Sequence, residues 1–518
     1  MNGARALLAT LVAAEVDVCF ANPGTSEMHF VAALDEVPAM RGVLTLFEGV
    51  ATGAADGYAR VAGRPAATLV HLGPGLANGV ANLHNARRAR TPVVNVVGDH
   101  ATYHKRYDAP LESDVAGLAG AVSGWYRVSA RADDVGADAA EAAAAALGPP
   151  GCVATLVLPA DVSWSSSAAG PARPLPRRGP RRVPEGAVLA AAAALQAKEP
   201  AALLIGGSAL RERGLLAASR VANATGAKLL GETFPANLER GAGLPPLERL
   251  GYLAEFIEAQ LAGVRHLVVV DTGAPVSFFA YPDKPSDLVP AGCEVHRLAV
   301  AGDDGPAALE ELAEAVGAGP RTATLAPAAR PDRPTGALTM QTLGAAVGAL
   351  LPEGAVVVDE SNTAGLFTPG ATAGAPRHDW LALSGGAIGW GLPAATGAAV
   401  AAPDRPVLCL EADGSAMYTV QALWTQAREG LGVTTVVLAN HAYDILNLEL
   451  SRVGAEAGGP RAAAMLDLSR PELDFVALAS GLGVPATRAT TAEELTDQLE
   501  RALGEEGPHL IEAVLPRM

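Results

Sequence analysis

Aromatic residues are scarce in this 518-residue chain: 5 Trp, 8 Tyr and 9 Phe amount to 4% of it. Its cores must therefore be built from small aliphatic side chains, which favours helices laid closely on sheets. Cysteine is rarer still. Cys19, Cys152, Cys293 and Cys409 lie far apart and form no CxxC pair, so neither a zinc site nor a disulfide framework is expected, and a reducing, cytoplasmic location is the default. Positive charge is outweighed, with 38 Lys and Arg against 55 Asp and Glu for a net charge of −17. That balance argues against nucleic acid or an anionic membrane surface as a partner. No run reaches the roughly 18 uncharged apolar residues of a membrane span. The apolar run at residues 6–14 is closed by Glu15 and Asp17, unlike a signal peptide.

What the chain does have is bulk and periodicity. Half its residues are hydrophobic and 18% are charged, which allows large cores and excludes wholesale disorder. The length corresponds to about three domains. Two Pro-rich stretches without helical or strand periodicity, 166–185 and 318–335, read as linkers. The expected domains are then 1–165, 186–317 and 336–518.

Each block alternates helix and strand. In the first, short apolar strands are expected at 16–21, 41–47, 66–71 and 92–98, with Gly73-Pro74-Gly75 as a turn after the third. The middle block has strands at 202–205 and 266–270. The third has them at 355–359, 407–411 and 433–438, each followed by polar or Gly-rich residues. Short continuous apolar strands alternating with helices imply α/β domains with parallel sheets covered on both faces. Ligands of such sheets sit off the carboxyl ends of strands, where the unusual residues of this chain also lie.

Asp413 and Asn440 follow two separate strands of the third block, 27 residues apart. Carboxylate and amide oxygens suit magnesium or calcium. Gly414 leaves room for close approach, and Ser415 opens a helix whose free amides can bind phosphate. Alone, this fits an ordinary turn equally well.

The surroundings decide between the two. Ala412-Asp413-Gly414-Ser415 with the step to Asn440 resembles the GDG…NN motif of thiamine diphosphate-dependent enzymes. Ser384-Gly385-Gly386-Ala387-Ile388-Gly389-Trp390-Gly391-Leu392-Pro393 resembles the segment that precedes that motif. Glu48 with Ala54-Ala55-Asp56-Gly57-Tyr58-Ala59-Arg60 resembles the E…AADGYAR segment, and Phe20-Ala21-Asn22-Pro23-Gly24-Thr25 the FGNPG turn. The chain is thus identified as a member of this family, similar to both acetolactate synthase large subunits and benzoylformate decarboxylase.

The resemblance implies three α/β domains, with the cofactor between the pyrimidine-binding first domain of one subunit and the diphosphate-binding third domain of another. It implies that Asp413, Asn440 and the carbonyl of Ala442 hold Mg2+, and that Asn362, Thr363, Gly414, Ser415 and Tyr443 contact the diphosphate. Ile388 matches the aliphatic prop of the bent cofactor, and Glu48 the carboxyl that activates it. The implied activity is that of a 2-oxo acid decarboxylase or carboligase, through a cofactor-bound carbanion that is protonated or adds to a second carbonyl. Same-fold alternatives are an FAD-dependent oxidase, an acyl-CoA lyase and a non-catalytic regulatory relative. The middle block has only Gly206-Gly207 after a strand and no GxGxxG, so FAD is not expected. A homodimer is the implied minimal active unit and a homotetramer the expected assembly.

Substrate-side residues are mixed. His71 matches the active-site histidine of benzoylformate decarboxylase and Thr25 its substrate-contacting serine, with Gly24 beside it. Gly73-Pro74-Gly75 and Asn78 are closer to acetolactate synthase. Gly273 to Tyr281 resembles a segment of benzoylformate decarboxylase that precedes a second histidine; here Ala280 stands in its place. His100 and His104 are candidates to line the site instead. Lys105, Arg106 and Arg452 are weaker candidates to pair with a substrate carboxylate.

Overall fold

The structure is a computed structural model and describes residues 1–455 and 459–517. Three sheets organise it. The first block supplies β1 (Val18–Ala21), β2 (Arg41–Leu44), β3 (Ala66–His71), β4 (Val93–Asp99), β5 (Trp125–Val128) and β6 (Val153–Pro159). They pair in the order β2-β1-β3-β4-β6-β5, every pair parallel. The central strands are buried along their length, except for His71 at the end of β3, as expected of strands covered on both faces.

The middle of the chain gives β7 (Ala201–Ile205), β8 (Lys228–Gly231), β9 (Leu238–Arg240), β10 (Glu248–Arg249), β11 (His266–Val270) and β12 (Glu294–Ala299). Five of these form a parallel sheet in the order β10-β8-β7-β11-β12. The sixth, β9, leaves it and lies antiparallel on the edge of the third sheet. That sheet is completed by β13 (Val356–Glu360), β14 (His378–Ala382), β15 (Val407–Ala412), β16 (Val433–Ala439), β17 (Ala486–Ala489) and β18 (His509–Val514), in the order β17-β18-β16-β15-β13-β14-β9. The architecture is the expected α/β one, with β9 as an antiparallel exception.

The third sheet is the hub. One hydrophobic core joins it to the first sheet and another to the middle one. The first of these joins depends on small residues. The helix Glu48–Ala62 packs on the helix Gly391–Ala401, where a Cβ on Gly53 would come within 2.6 Å of Pro393 and one on Gly57 within 2.1 Å of the Ala394 carbonyl oxygen. The Ala- and Gly-rich composition thus lets two helix backbones approach. Asp56 and Arg60, fully buried beside them, form a two-pronged ion pair at 2.7–3.0 Å. The Trp390 indole N–H donates to Asp56 at 2.6 Å, and Arg60 donates to the Ala382 carbonyl at 2.8 Å. A buried ion pair is tolerated when its remaining hydrogen-bonding capacity is filled in this way.

Gly73-Pro74-Gly75 is not a turn. The three residues form the start of the helix Leu72–Ala89. The reversal falls instead on Leu72, at φ 49°, and Pro74 is accommodated because the N–H groups of a first helical turn need no intrahelical partner. No described helix is long and apolar enough to cross a membrane.

Candidate active site

The first sheet brings one group of residues to its carboxyl edge. β1 runs into Asn22-Pro23-Gly24 and a short 3-10 turn, Thr25–Glu27; β3 ends at His71; and Glu48 opens its helix directly after Phe47. The His71 ring lies flat against Gly24, leaving no space for a Cβ there. Glu27, 2% exposed, is the partner of that ring: its Oε2 stands 2.7 Å from His71 Nδ1 and accepts the Gly24 N–H at 2.6 Å. Burial raises the Glu27 carboxyl above the usual range, while His71 and the Gly24 N–H oppose the rise. Glu27 thus occupies Nδ1 of His71, which leaves Nε2 as the ring nitrogen not engaged by that carboxyl.

Glu48 is 7% exposed and its Oε2 accepts from Asn78 Nδ2 at 3.0 Å. A Cβ on Gly75 would sit 2.8 Å from Glu48 Oε1 and 3.4 Å from the Cβ of His71. Glu48 and His71 therefore flank a single glycine. Thr25 is exposed at the rim.

The third sheet gathers the second group at its own carboxyl edge. Asp413 follows β15, and Asn440, His441 and Ala442 follow β16. Asp413 Oδ1 accepts the Gly414 N–H and Oδ2 the His441 N–H, both at 2.7 Å; Asn440 Oδ1 accepts the Ala442 N–H at 3.2 Å. After β13, Asn362 adopts φ 50° and donates to Ser415 Oγ at 3.1 Å, with Thr363 next in the same turn. The Tyr443 ring covers Gly414 so closely that no side chain could stand there. Burial raises the Asp413 carboxyl, and the N–H groups around it oppose the rise. A carboxylate, an amide oxygen and a backbone carbonyl are hard donors, so this set fits Mg2+. The glycine cradle and the Ser415 hydroxyl fit phosphate oxygens.

The helix Leu72–Ala89 ties the first group to the glycine-rich segment around Ile388. Asn82 Nδ2 donates to the Gly49 carbonyl at 2.8 Å and to the Gly389 carbonyl at 3.1 Å. Asn85 donates to the Ala387 carbonyl at 2.8 Å and accepts the Ala387 N–H at 3.2 Å. Ile388 is thereby held on both sides. From below, Glu360 accepts the N–H groups of Gly389, Trp390 and Gly391 at 2.8, 2.7 and 2.5 Å. The carboxyl of Glu411 lies against that of Glu360. Burial pushes Glu360 up to about 7 and Glu411 well above its usual range, the latter also by the charge on Glu360. Three aimed N–H groups favour the charge on Glu360, so Glu411 is the one that keeps the proton.

Four contributors have no role in the sequence reading: Glu27, Asn82, Asn85 and the Glu360–Glu411 pair. The 78, 82, 85 spacing of asparagines along one helix face, and an acid three residues after Gly24 as in a capping box, are the signals that point to the first three. The remaining candidates are less central. The His100 and His104 rings pack at a tilt of 56° with centroids 5.3 Å apart, His100 Nε2 being buried without a partner. Lys105 is held by Asp99 and Glu112 at 2.8 Å each, Arg106 stacks on Tyr107, and Arg452 pairs with Glu255 at 2.9 Å. All three cations are thus already engaged within the fold. An aromatic cluster of Phe234, Tyr252, Phe278 and Phe279 lies beside the glycine-rich segment, Phe278 Cζ being 3.0 Å from where a Cβ on Gly386 would stand.

Comparison with known proteins identifies the family. Residues 1–118 match the thiamine pyrophosphate enzyme N-terminal TPP binding domain, and residues 370–513 the C-terminal TPP binding domain. The chain is 64% identical to a putative acetolactate synthase large subunit, IlvX, of Mycobacterium tuberculosis, over all of both chains. It is 31% identical to benzoylformate decarboxylase of Pseudomonas aeruginosa over 95% of each. Among solved structures, a thiamine diphosphate-dependent 4-hydroxybenzoylformate decarboxylase from Rhodococcus jostii superposes with a TM-score of 0.85, at 26% identity and full coverage of both chains. The chain belongs to the thiamine pyrophosphate enzyme family, within its acetolactate synthase and benzoylformate decarboxylase group.

Proposed function

We propose that this member of the thiamine pyrophosphate enzyme family is a magnesium-dependent 2-oxo acid decarboxylase or carboligase. The observation that carries the reading is that Glu48 Oε1 and the Cβ of His71 both border Gly75, while the His71 ring lies against Gly24, so a buried carboxyl and an imidazole-bearing residue line neighbouring parts of one sheet edge. Bound thiamine diphosphate supplies the electron sink for release of carbon dioxide. Asp413, Asn440 and the Ala442 carbonyl would hold Mg2+, while Asn362, Thr363, Gly414, Ser415 and Tyr443 would receive the diphosphate. Ile388 props the rings. Glu48 exchanges the proton that activates the cofactor. His71, oriented by Glu27, moves a proton at the substrate carbon or oxygen, with Thr25 and Gly24 lining that side and His100 and His104 further out. The aromatic cluster beside Gly386 supports an aryl 2-oxo acid over pyruvate. The active unit in this reading is a homodimer, assembled as a homotetramer in the cytoplasm.

The test is a product assay. The purified chain is loaded with thiamine diphosphate and Mg2+ and given benzoylformate or pyruvate, each alone and with an added aldehyde. Carbon dioxide with an aldehyde or a 2-hydroxyketone is the expected result. Consumption of neither acid by protein that binds the cofactor would overturn the substrate class. Flavin absorbance in the purified protein would favour an oxidase.

A further inference from the structure

A second cluster lies in the middle sheet. β11 and β12 are parallel neighbours with His266 opposite Glu294 and Val268 opposite His296. Because alternate residues of a strand share a face, His266, Glu294 and His296 emerge together. They do so at the amino-terminal end of these strands, the opposite end from the one where parallel α/β sheets place their ligand sites.

Three donor atoms converge there. His266 Nδ1 is 3.2 Å from His296 Nε2, and Glu294 Oε2 is 3.8 Å from each of these nitrogens. A triangle with those sides has a circumradius of about 2.1 Å, the bond length that Zn2+ makes to imidazole nitrogen and carboxylate oxygen. The Glu294 side chain is 72% exposed and free to adjust, whereas the two imidazoles are largely enclosed at 12% and 22%. Behind the triangle, His266 Nε2 lies 3.0 Å from Glu199 Oε2. A carboxylate on the far nitrogen fixes the histidine tautomer with its lone pair on the near one, which is the usual support of a metal-bound histidine. Two nitrogens and one oxygen suit zinc and its borderline neighbours, unlike the all-oxygen set around Asp413.

The geometry points to a Zn2+-class site made by His266, Glu294 and His296 and supported by Glu199, which clips the edge strand β12 to β11; the exposed Glu294 draws a few tenths of an ångström closer to the imidazoles, which lifts the ion out of the donor plane and leaves a fourth position to water. His266 Nδ1 and His296 Nε2 are at hydrogen-bond distance, 3.2 Å, so ion and proton compete for the same gap. The site stands independently of the proposed reaction.

The experiment uses the untagged full-length chain, stripped with chelator and titrated calorimetrically with ZnCl2, with CoCl2 as a spectroscopic probe. One ion per chain with micromolar or tighter affinity is expected, together with visible cobalt bands of a low-coordinate imidazole site. His296→Asn should weaken binding at least a hundredfold, Glu294→Ala about tenfold or more, and Glu199→Gln between 10- and 100-fold. Asp413→Ala should leave it unchanged. Glu294 is exposed, so its variant keeps the measurement interpretable if His296→Asn folds poorly. Zinc affinity unchanged in both His296→Asn and Glu294→Ala, or no stoichiometric binding by the unmodified chain, would overturn the proposal.

Discussion

Glu27 Oε2 and His71 Nδ1 stand 2.7 Å apart, and the same oxygen accepts the Gly24 N–H. One buried carboxylate therefore fixes both the imidazole and the turn on which it rests. Glu27→Ala should lower kcat/KM nearly as much as His71→Ala, about 10- to 1000-fold, and the double variant should fall little below either single one. Residues acting as a unit are non-additive in this way. Additive losses in steady-state kinetics would mean that Glu27 acts elsewhere.

Glu48→Gln tests the proposed activating role of this carboxyl. Glutamine keeps the size of the side chain and a group to bond Asn78, but it cannot exchange a proton. Turnover should drop by about 10²–10⁴-fold, with thiamine diphosphate affinity within a few fold of the unmodified chain. Calorimetry beside a rate assay separates the two effects. Near-normal turnover would remove Glu48 from the chemistry.

Much of this was readable in the letters. β3 and β11 coincide with short apolar runs bounded by polar residues, and the motif residues of the third block gather at one sheet edge as their spacing implies. What escaped is set by distance along the chain. Glu27 meets His71 across 44 residues, and Asn82 meets Gly389 across 307. β9 reads as loop because its three residues carry no periodicity of their own; pairing with β14 makes it a strand. Gly73-Pro74-Gly75 has turn composition but lies in a helix because Leu72 takes the reversal.

Asp413→Ala should abolish the magnesium dependence of cofactor binding. The variant deletes both oxygens that accept from Gly414 and His441, so the loop after β16 loses its anchor as well as a proposed ligand. Titration of thiamine diphosphate with and without Mg2+ should show weak, metal-independent binding. An unchanged metal-dependent affinity would shift the metal to other donors.

The Glu360–Glu411 pair should respond asymmetrically. Glu411 holds the proton, so Glu411→Gln replaces one neutral group by another and should cost under about 1 kcal/mol. Glu360→Gln instead turns an amide N–H2 toward backbone N–H groups that now donate to both of its oxygens. Buried unsatisfied groups cost about 1–3 kcal/mol each, and the segment carrying Ile388 should loosen with them. Urea unfolding of the two variants, with cofactor affinity measured alongside, checks the asymmetry; equal losses would place the proton differently.

His378 sets an acid limit on the third sheet. It is 3% exposed, its Nδ1 donates to the Pro376 carbonyl at 2.7 Å, and its Nε2 has no partner. Burial pulls its pKa down to about 4, below the unfolded value near 6.5. The unfolded chain therefore takes up this proton first as the pH falls, and stability declines from about pH 6.5 until the folded histidine also titrates near pH 4. The share owed to His378 is about 2 kcal/mol at pH 5. His378→Asn can keep the bond to Pro376 and does not titrate. Its urea midpoint should fall less between pH 7 and pH 5 than that of the unmodified chain, and parallel declines would show that the acid sensitivity lies with the carboxylates instead.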